Sequence, residues 1–181
     1  MSSLLTLFFA PSFLLFTYFF KFQELVFIYI LISLVFLIYA YIKKKKKEDF
    51  IIVGIYLVLL LIAYFNNSFE AVKFIPVFSA MTFFAIFLHS VIKKNELIYK
   101  FTLRFYKKNL SDAEIIFLKN GDLFWSIAIF IYAIFLLSLV YFASNNIWAF
   151  FSSVGWYIYF IVALVIQIIY GKIYAIKMYS K

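Results

Sequence analysis

Side chains able to carry charge or move a proton gather in one stretch of this 181-residue chain. Residues 93–122 hold Asp112, Glu114 and Asp122 together with the bases Lys93, Lys94, Lys100, Arg104, Lys107, Lys108 and Lys119. Asp112, Glu114, Lys119 and Asp122 are the groups that could surround a lipid headgroup. Acid–base catalysis, however, requires a titratable group, a perturbing environment and a partner that orients it. Helix ends account for the acids more simply. Ser111-Asp112-Ala113-Glu114 reads as a capping box, with Ser111 as N-cap and Glu114 reaching back. A short helix Asp112–Asn120 is predicted to follow, closed by Gly121, with Asp122 capping the apolar span after it. The one histidine, His89, lies four residues before Lys93 and has no acid nearby in sequence. An interfacial imidazole bonded to a neighbouring serine or water is expected there, with a proton relay as the other reading. The chain has no cysteine and four glycines, so thiolate chemistry is excluded and a backbone phosphate nest has little material. No GxSxG, HExxH or paired intramembrane aspartates occur. The sequence is read as that of a non-enzyme, with no catalytic, cofactor-binding or metal site.

The elements that must position these residues are apolar. The chain is 67% hydrophobic, 25% aromatic and 14% charged, with a mean hydropathy of +1.05. So few charges cannot cover a water-soluble domain of this length. A window of roughly 19 residues picks out Leu4–Phe20, Phe22–Ile42, Phe50–Phe65, Phe74–Ile92, Leu123–Ala143 and Ile147–Tyr170. Continuous runs of this kind predict helices rather than the alternating segments of a β-barrel. The expected fold is all-α: a polytopic transmembrane bundle forming one integral membrane domain over 1–181. It has six spans, or five if Leu4–Phe20, which contains Pro11, does not cross. Pro76 falls in the first turn of the fourth span, where proline is tolerated.

Charge sets the orientation. Lys43 to Lys47 are five consecutive lysines; with the 93–122 loop and the tail bases Lys172, Lys177 and Lys181 they put fifteen bases on one side. Two, Lys21 and Lys73, fall on the other. Basic loops stay in the cytoplasm, so both termini are expected there. Within the amphipathic cytoplasmic loop 93–122, Leu97, Ile98, Phe101 and Phe105 share one helical face, and Lys100, Arg104, Lys107 and Lys108 a neighbouring stripe. Such a helix, between spans four and five, would lie in the headgroup layer with its bases on anionic phospholipid. Plain orientation by positive loops explains the same bases. No Asp, Glu, Lys or Arg falls at the centre of a span, which argues against ion-coupled transport and a charge-lined pore. Trp125 and Trp148 suit interfaces, and Ala149, Ser153 and Gly155 suit close helix contact.

From the fourth span onward the pattern resembles a known family. Pro76 opens a span ending in Lys93-Lys94. Leu97-Ile98 and Lys100 follow, then Leu110 and Asp112, then Lys119-Asn120 ahead of Trp125, and finally Trp148, Phe151 and Gly155. Over roughly 74–171 this resembles the intracellular septation protein family of bacterial inner-membrane proteins. It is also similar to a related, largely uncharacterised family linked to aryl-polyene and fatty-acid-like synthesis clusters. The resemblance implies a multi-pass bacterial inner-membrane protein serving envelope maintenance, division or envelope lipid synthesis through other membrane proteins. It brings no catalytic residues; the family-like positions are Lys93, Lys94, Lys119, Trp125, Trp148 and Gly155. A scaffold or accessory factor is the first reading, and a component that carries a lipid or lipid intermediate is the alternative. The expected partners are the bilayer, anionic headgroups and other inner-membrane proteins, not nucleic acid, and no cofactor is expected.

Overall fold

The computed structural model describes residues 12, 13, 15–17, 19–43, 47–105 and 110–179. Most of the first apolar stretch, Lys44 to Lys46 of the lysine run, Lys107, Lys108 and Lys181 lie outside the described residues. Among the described residues there is no strand. The helices are α1 (Phe22–Ile42), α2 (Lys47–Asn66), α3 (Phe69–Lys93), α4 (Leu97–Phe105), α5 (Asp112–Lys119), α6 (Gly121–Phe142), α7 (Asn145–Phe150) and α8 (Trp156–Tyr179). A π-helical segment, Phe151–Gly155, joins α7 to α8.

Four helical runs are long and apolar enough to cross a bilayer: Phe22–Ile42, Phe69–Lys93, Asp112–Phe142 and Asn145–Tyr174. α2 carries a shorter apolar stretch, Val53–Asn66. The surface of these helices is largely Ile, Leu, Val and Phe, with Ile161 62% and Ile131 55% exposed. Ser33, Ser79, Ser126 and Gln167 are buried instead. Apolar outside and polar inside is the arrangement a hydrocarbon solvent favours.

The chain forms two compact units, Met1–Ser79 with Ile134–Gly155, and Ala80–Ala133 with Trp156–Lys181. In the first, α1 and α2 make an antiparallel hairpin, with Phe27 of α1 meeting Tyr64 near the end of α2. Val53, Tyr56, Leu60 and Ala63 recur at helical spacing along the buried side of α2. Asn67, at φ 47°, closes α2: its N–H reaches the Tyr64 carbonyl and that of Ser68 the Ala63 carbonyl. Tyr56 and Ser79 hydroxyls are hydrogen-bonded, and Ser79 also donates to the Ile75 carbonyl at 2.9 Å.

α3 begins five residues before the expected Phe74. Ser68 Oγ accepts the Glu70 N–H at 3.3 Å, so this serine starts the helix. Pro76 therefore lies in the helix interior, not in the first turn, and removes one backbone bond there. Lys73 belongs to this helix rather than to a turn. Its side chain is 6% exposed, with Nζ 3.1 Å from Glu70 Oε1. The span expected at Ile147–Tyr170 is also longer and is interrupted by the π segment. Gly155 serves that segment: a Cβ there would stand 2.7 Å from Phe151 Cδ1. Ser153 bonds back to the Ala149 carbonyl at 2.6 Å. These small residues thus satisfy their own helix locally.

In the second unit α6 and α8 are joined by aromatic contacts and two polar ones. Trp125 stacks on Phe160 at 5.0 Å, and Tyr132 meets Trp156 at 4.9 Å. Tyr159 Oη donates to the Ala128 carbonyl at 2.6 Å. Phe117 of α5 packs between Tyr170 and Tyr174, and fills the space over Gly171, where a Cβ would lie 2.8 Å from its ring.

Candidate functional site

The charged loop is organised by one carboxylate. Asp122, in the first turn of α6, is 2% exposed. Its Oδ2 accepts the Leu97 N–H at 2.9 Å and its Oδ1 the Ile98 N–H at 2.8 Å. The Ser90 hydroxyl, near the end of α3, also donates to Oδ2. Asp122 therefore caps α4, across 24 to 25 residues of sequence, and not its own helix as expected. The first N–H groups of a helix lack internal acceptors and carry partial positive charge, so an anion there neutralises both. One side chain thus ties together the end of α3, the start of α4 and the start of α6. The approach is close because residue 121 is glycine: a Cβ there would stand 2.8 Å from Ile98 Cγ2.

The α3–α4 turn that presents those N–H groups is made by left-handed residues. Lys94 has φ 52° and Glu96 φ 53°. The Lys94 N–H reaches the Val91 carbonyl and the Asn95 N–H the Ser90 carbonyl, the paired bonds that end a helix through a left-handed residue. Glycine is the usual occupant of such a position.

α5 starts as the sequence indicates. Ser111 donates to Glu114 Oε2 from its N–H at 2.8 Å and from its hydroxyl at 2.9 Å, and its Oγ accepts the Glu114 N–H at 3.4 Å. The Ser111 backbone N–H, then its hydroxyl, hold the Glu114 carboxyl below the usual carboxylate range. At the other end of α5, Lys119 Nζ lies 3.4 Å from Glu96 Oε1 and 5.6 Å from the Tyr99 ring centroid.

A cleft of about 250 Å³ opens at this junction. Lys94, Glu96, Lys119, Asn120 and Asp122 form its polar lining, with Ser90 beneath, and Val91 and Leu123 give an apolar flank. The structure thus brings Lys94 and Lys119 together with the acids Glu96 and Asp122. Lys93 is exposed at the end of α3; Lys100 and Arg104 are exposed on α4, away from this lining. Asp112 is exposed in the first turn of α5, and His89 is exposed on α3, beside a Ser90 whose hydroxyl is held by Asp122. Glu96 was not singled out by sequence, since no local pattern marks an acid whose partner comes from another helix.

Trp125 and Trp148 have specific buried partners rather than an interfacial position alone. Trp125, 5% exposed, donates from Nε1 to Gln167 Oε1 at 2.7 Å. Trp148, 2% exposed, donates to the Lys73 carbonyl at 3.2 Å and meets the Phe69 ring edge-on at 5.1 Å. Among the described residues no three His, Cys, Asp or Glu side chains converge as a metal site would require. No protein family, curated protein or solved structure matches the chain.

Proposed function

We propose that this chain is a non-enzymatic, multi-pass protein of the bacterial inner membrane that acts as a scaffold or accessory factor in envelope maintenance, division or envelope lipid synthesis. In this reading six spans cross the bilayer and both termini are cytoplasmic. The 93–122 segment then forms the cytoplasmic face, with α4 in the headgroup layer. The observation that carries the reading is how the ionisable groups of that face are used. Asp122 is buried as the cap of α4, Glu114 closes the capping box of α5, and Lys119 is paired with Glu96. Acids and bases occupied in holding helix ends together support a platform more than a reaction centre.

The test is affinity purification from native membranes, with identification of co-purifying proteins, combined with single substitutions His89→Ala and Asp112→Ala. Envelope or division proteins are expected to co-purify, and both variants are expected to retain in vivo function. Loss of function in one of them, with normal abundance and insertion, would move the protein into the enzyme or carrier class.

A further inference from the structure

The cleft at the α3–α4 turn has properties the scaffold reading does not use. Its charged lining is balanced: two ammonium groups, Lys94 and Lys119, and two carboxylates, Glu96 and Asp122. Asp122 already holds three donors, which leaves Lys94, Lys119 and Glu96 to meet a ligand. Lys94 and Glu96 both hold left-handed backbone conformations that glycine would adopt without strain. Backbone strain held at charged residues around one cleft is a feature of binding sites. The apolar flank, Val91 and the half-exposed Leu123, belongs to helices long enough to cross a bilayer. A polar cleft whose wall continues into lipid-facing helices suits an amphiphile with a compact headgroup.

From this arrangement we infer that the cleft binds the headgroup of a zwitterionic aminophospholipid, a phosphate monoanion linked to a primary ammonium. The phosphate lies between Lys94 and Lys119, and the ammonium donates to Glu96. Binding replaces the 3.4 Å Lys119–Glu96 pair with one ligand contact to each partner, and the two lysines, Glu96, Asp122 and the bound zwitterion still sum to zero. An anionic headgroup gains the lysines but brings no cation to Glu96, and adds a net negative charge to a lining whose four charged groups already sum to zero. A choline headgroup has no N–H to give Glu96. This site is separate from the exposed Lys100 and Arg104 stripe on α4.

The inference rests on the membrane reading, and the experiment separates the two. Alkaline carbonate extraction that released the chain would remove the membrane reading itself. With a membrane-retained chain, purified full-length protein in micelles is titrated with dihexanoyl phosphatidylethanolamine, phosphatidylglycerol, phosphatidylcholine and free O-phosphoethanolamine, and binding is read by thermophoresis. Phosphatidylethanolamine is expected to bind about tenfold tighter than the other three. Lys94→Gln and Glu96→Gln, on the turn, and Lys119→Gln, on α5, are each expected to erase that margin at an unchanged melting temperature. Equal binding of phosphatidylglycerol or phosphatidylcholine overturns the inference. Equal binding of free O-phosphoethanolamine also overturns it, in favour of a soluble ligand. A variant that melts early is set aside, because the selectivity of the wild-type chain decides by itself.

Discussion

Replacing Asp122 by alanine should undock α4 while leaving the spans in place. The substitution removes an ionised acceptor from the Leu97 N–H, the Ile98 N–H and the Ser90 hydroxyl. Losing an N-cap costs about 1 kcal/mol, and leaving a buried donor unsatisfied costs about 1–3 kcal/mol. Together these give a local loss of about 3 kcal/mol, allowing for water reaching the half-exposed Leu97 end. α4 has only nine residues, too few to persist as a free helix, so losing its anchor should melt it. Asp122→Asn keeps one acceptor oxygen but turns an NH₂ group toward a donor, and should fall between alanine and wild type. The assay is hydrogen exchange in micelles at the α4 amides, read against the amides of α6 as an internal reference. Protection should fall by about a hundredfold in the alanine variant and less in the asparagine one, following the factor of ten per 1.4 kcal/mol. Unchanged protection of Leu97 and Ile98 in Asp122→Ala would refute the clamp.

Glycine substitutions sort by the space around them. Gly155→Ala meets Phe151 at 2.7 Å and should cost about 1–3 kcal/mol in thermal melting, with partial rescue by Phe151→Ala. Gly54→Ala meets nothing within 4 Å and should instead stabilise α2 by about 0.5–1 kcal/mol, so a loss there would count against the packing described. For Glu114 the sign follows from its depressed carboxyl. The capping box contributes stability above the ordinary value of 4.5 and loses it as pH falls through the lower folded-state value. Exchange protection of α5 should therefore drop on acidification below that range, and Glu114→Gln should remove this pH dependence; a dependence that survived would point to another group.

Much of the fold is legible because charge interrupts hydrophobicity so sharply. Lys21 and the lysine run bracket Phe22–Ile42, and the observed α1 has those bounds. The Ser111–Glu114 box is local, four consecutive residues, and could be read directly. What escaped reading depends on contacts distant in sequence or on backbone geometry. Asp122 looked like the cap of α6 because it begins that helix, while its donors lie on α3 and α4. Lys73 looked like part of a turn because it is charged, yet Ser68 starts the helix before it and Glu70 pairs with it. Gly155 suggested contact with another helix, whereas the ring it makes room for is four residues earlier in its own chain. Lys94 carries no sequence signal of a helix end, since glycine is what usually marks one.

The proposed orientation places the clamp and cleft built on Asp122 on the cytoplasmic side of a membrane-embedded bundle. The chain has no cysteine, so single-cysteine variants report one site each. Asn67, Asn120 and Asn145 are all exposed and suit such labels. In intact cells stripped of their outer barrier, a membrane-impermeant maleimide should label Asn67→Cys and Asn145→Cys. Asn120→Cys, next to the cleft, should react only after the inner membrane is opened. Labelling of Asn120→Cys in intact cells, with Asn67→Cys and Asn145→Cys protected, would place this face outside and overturn that orientation.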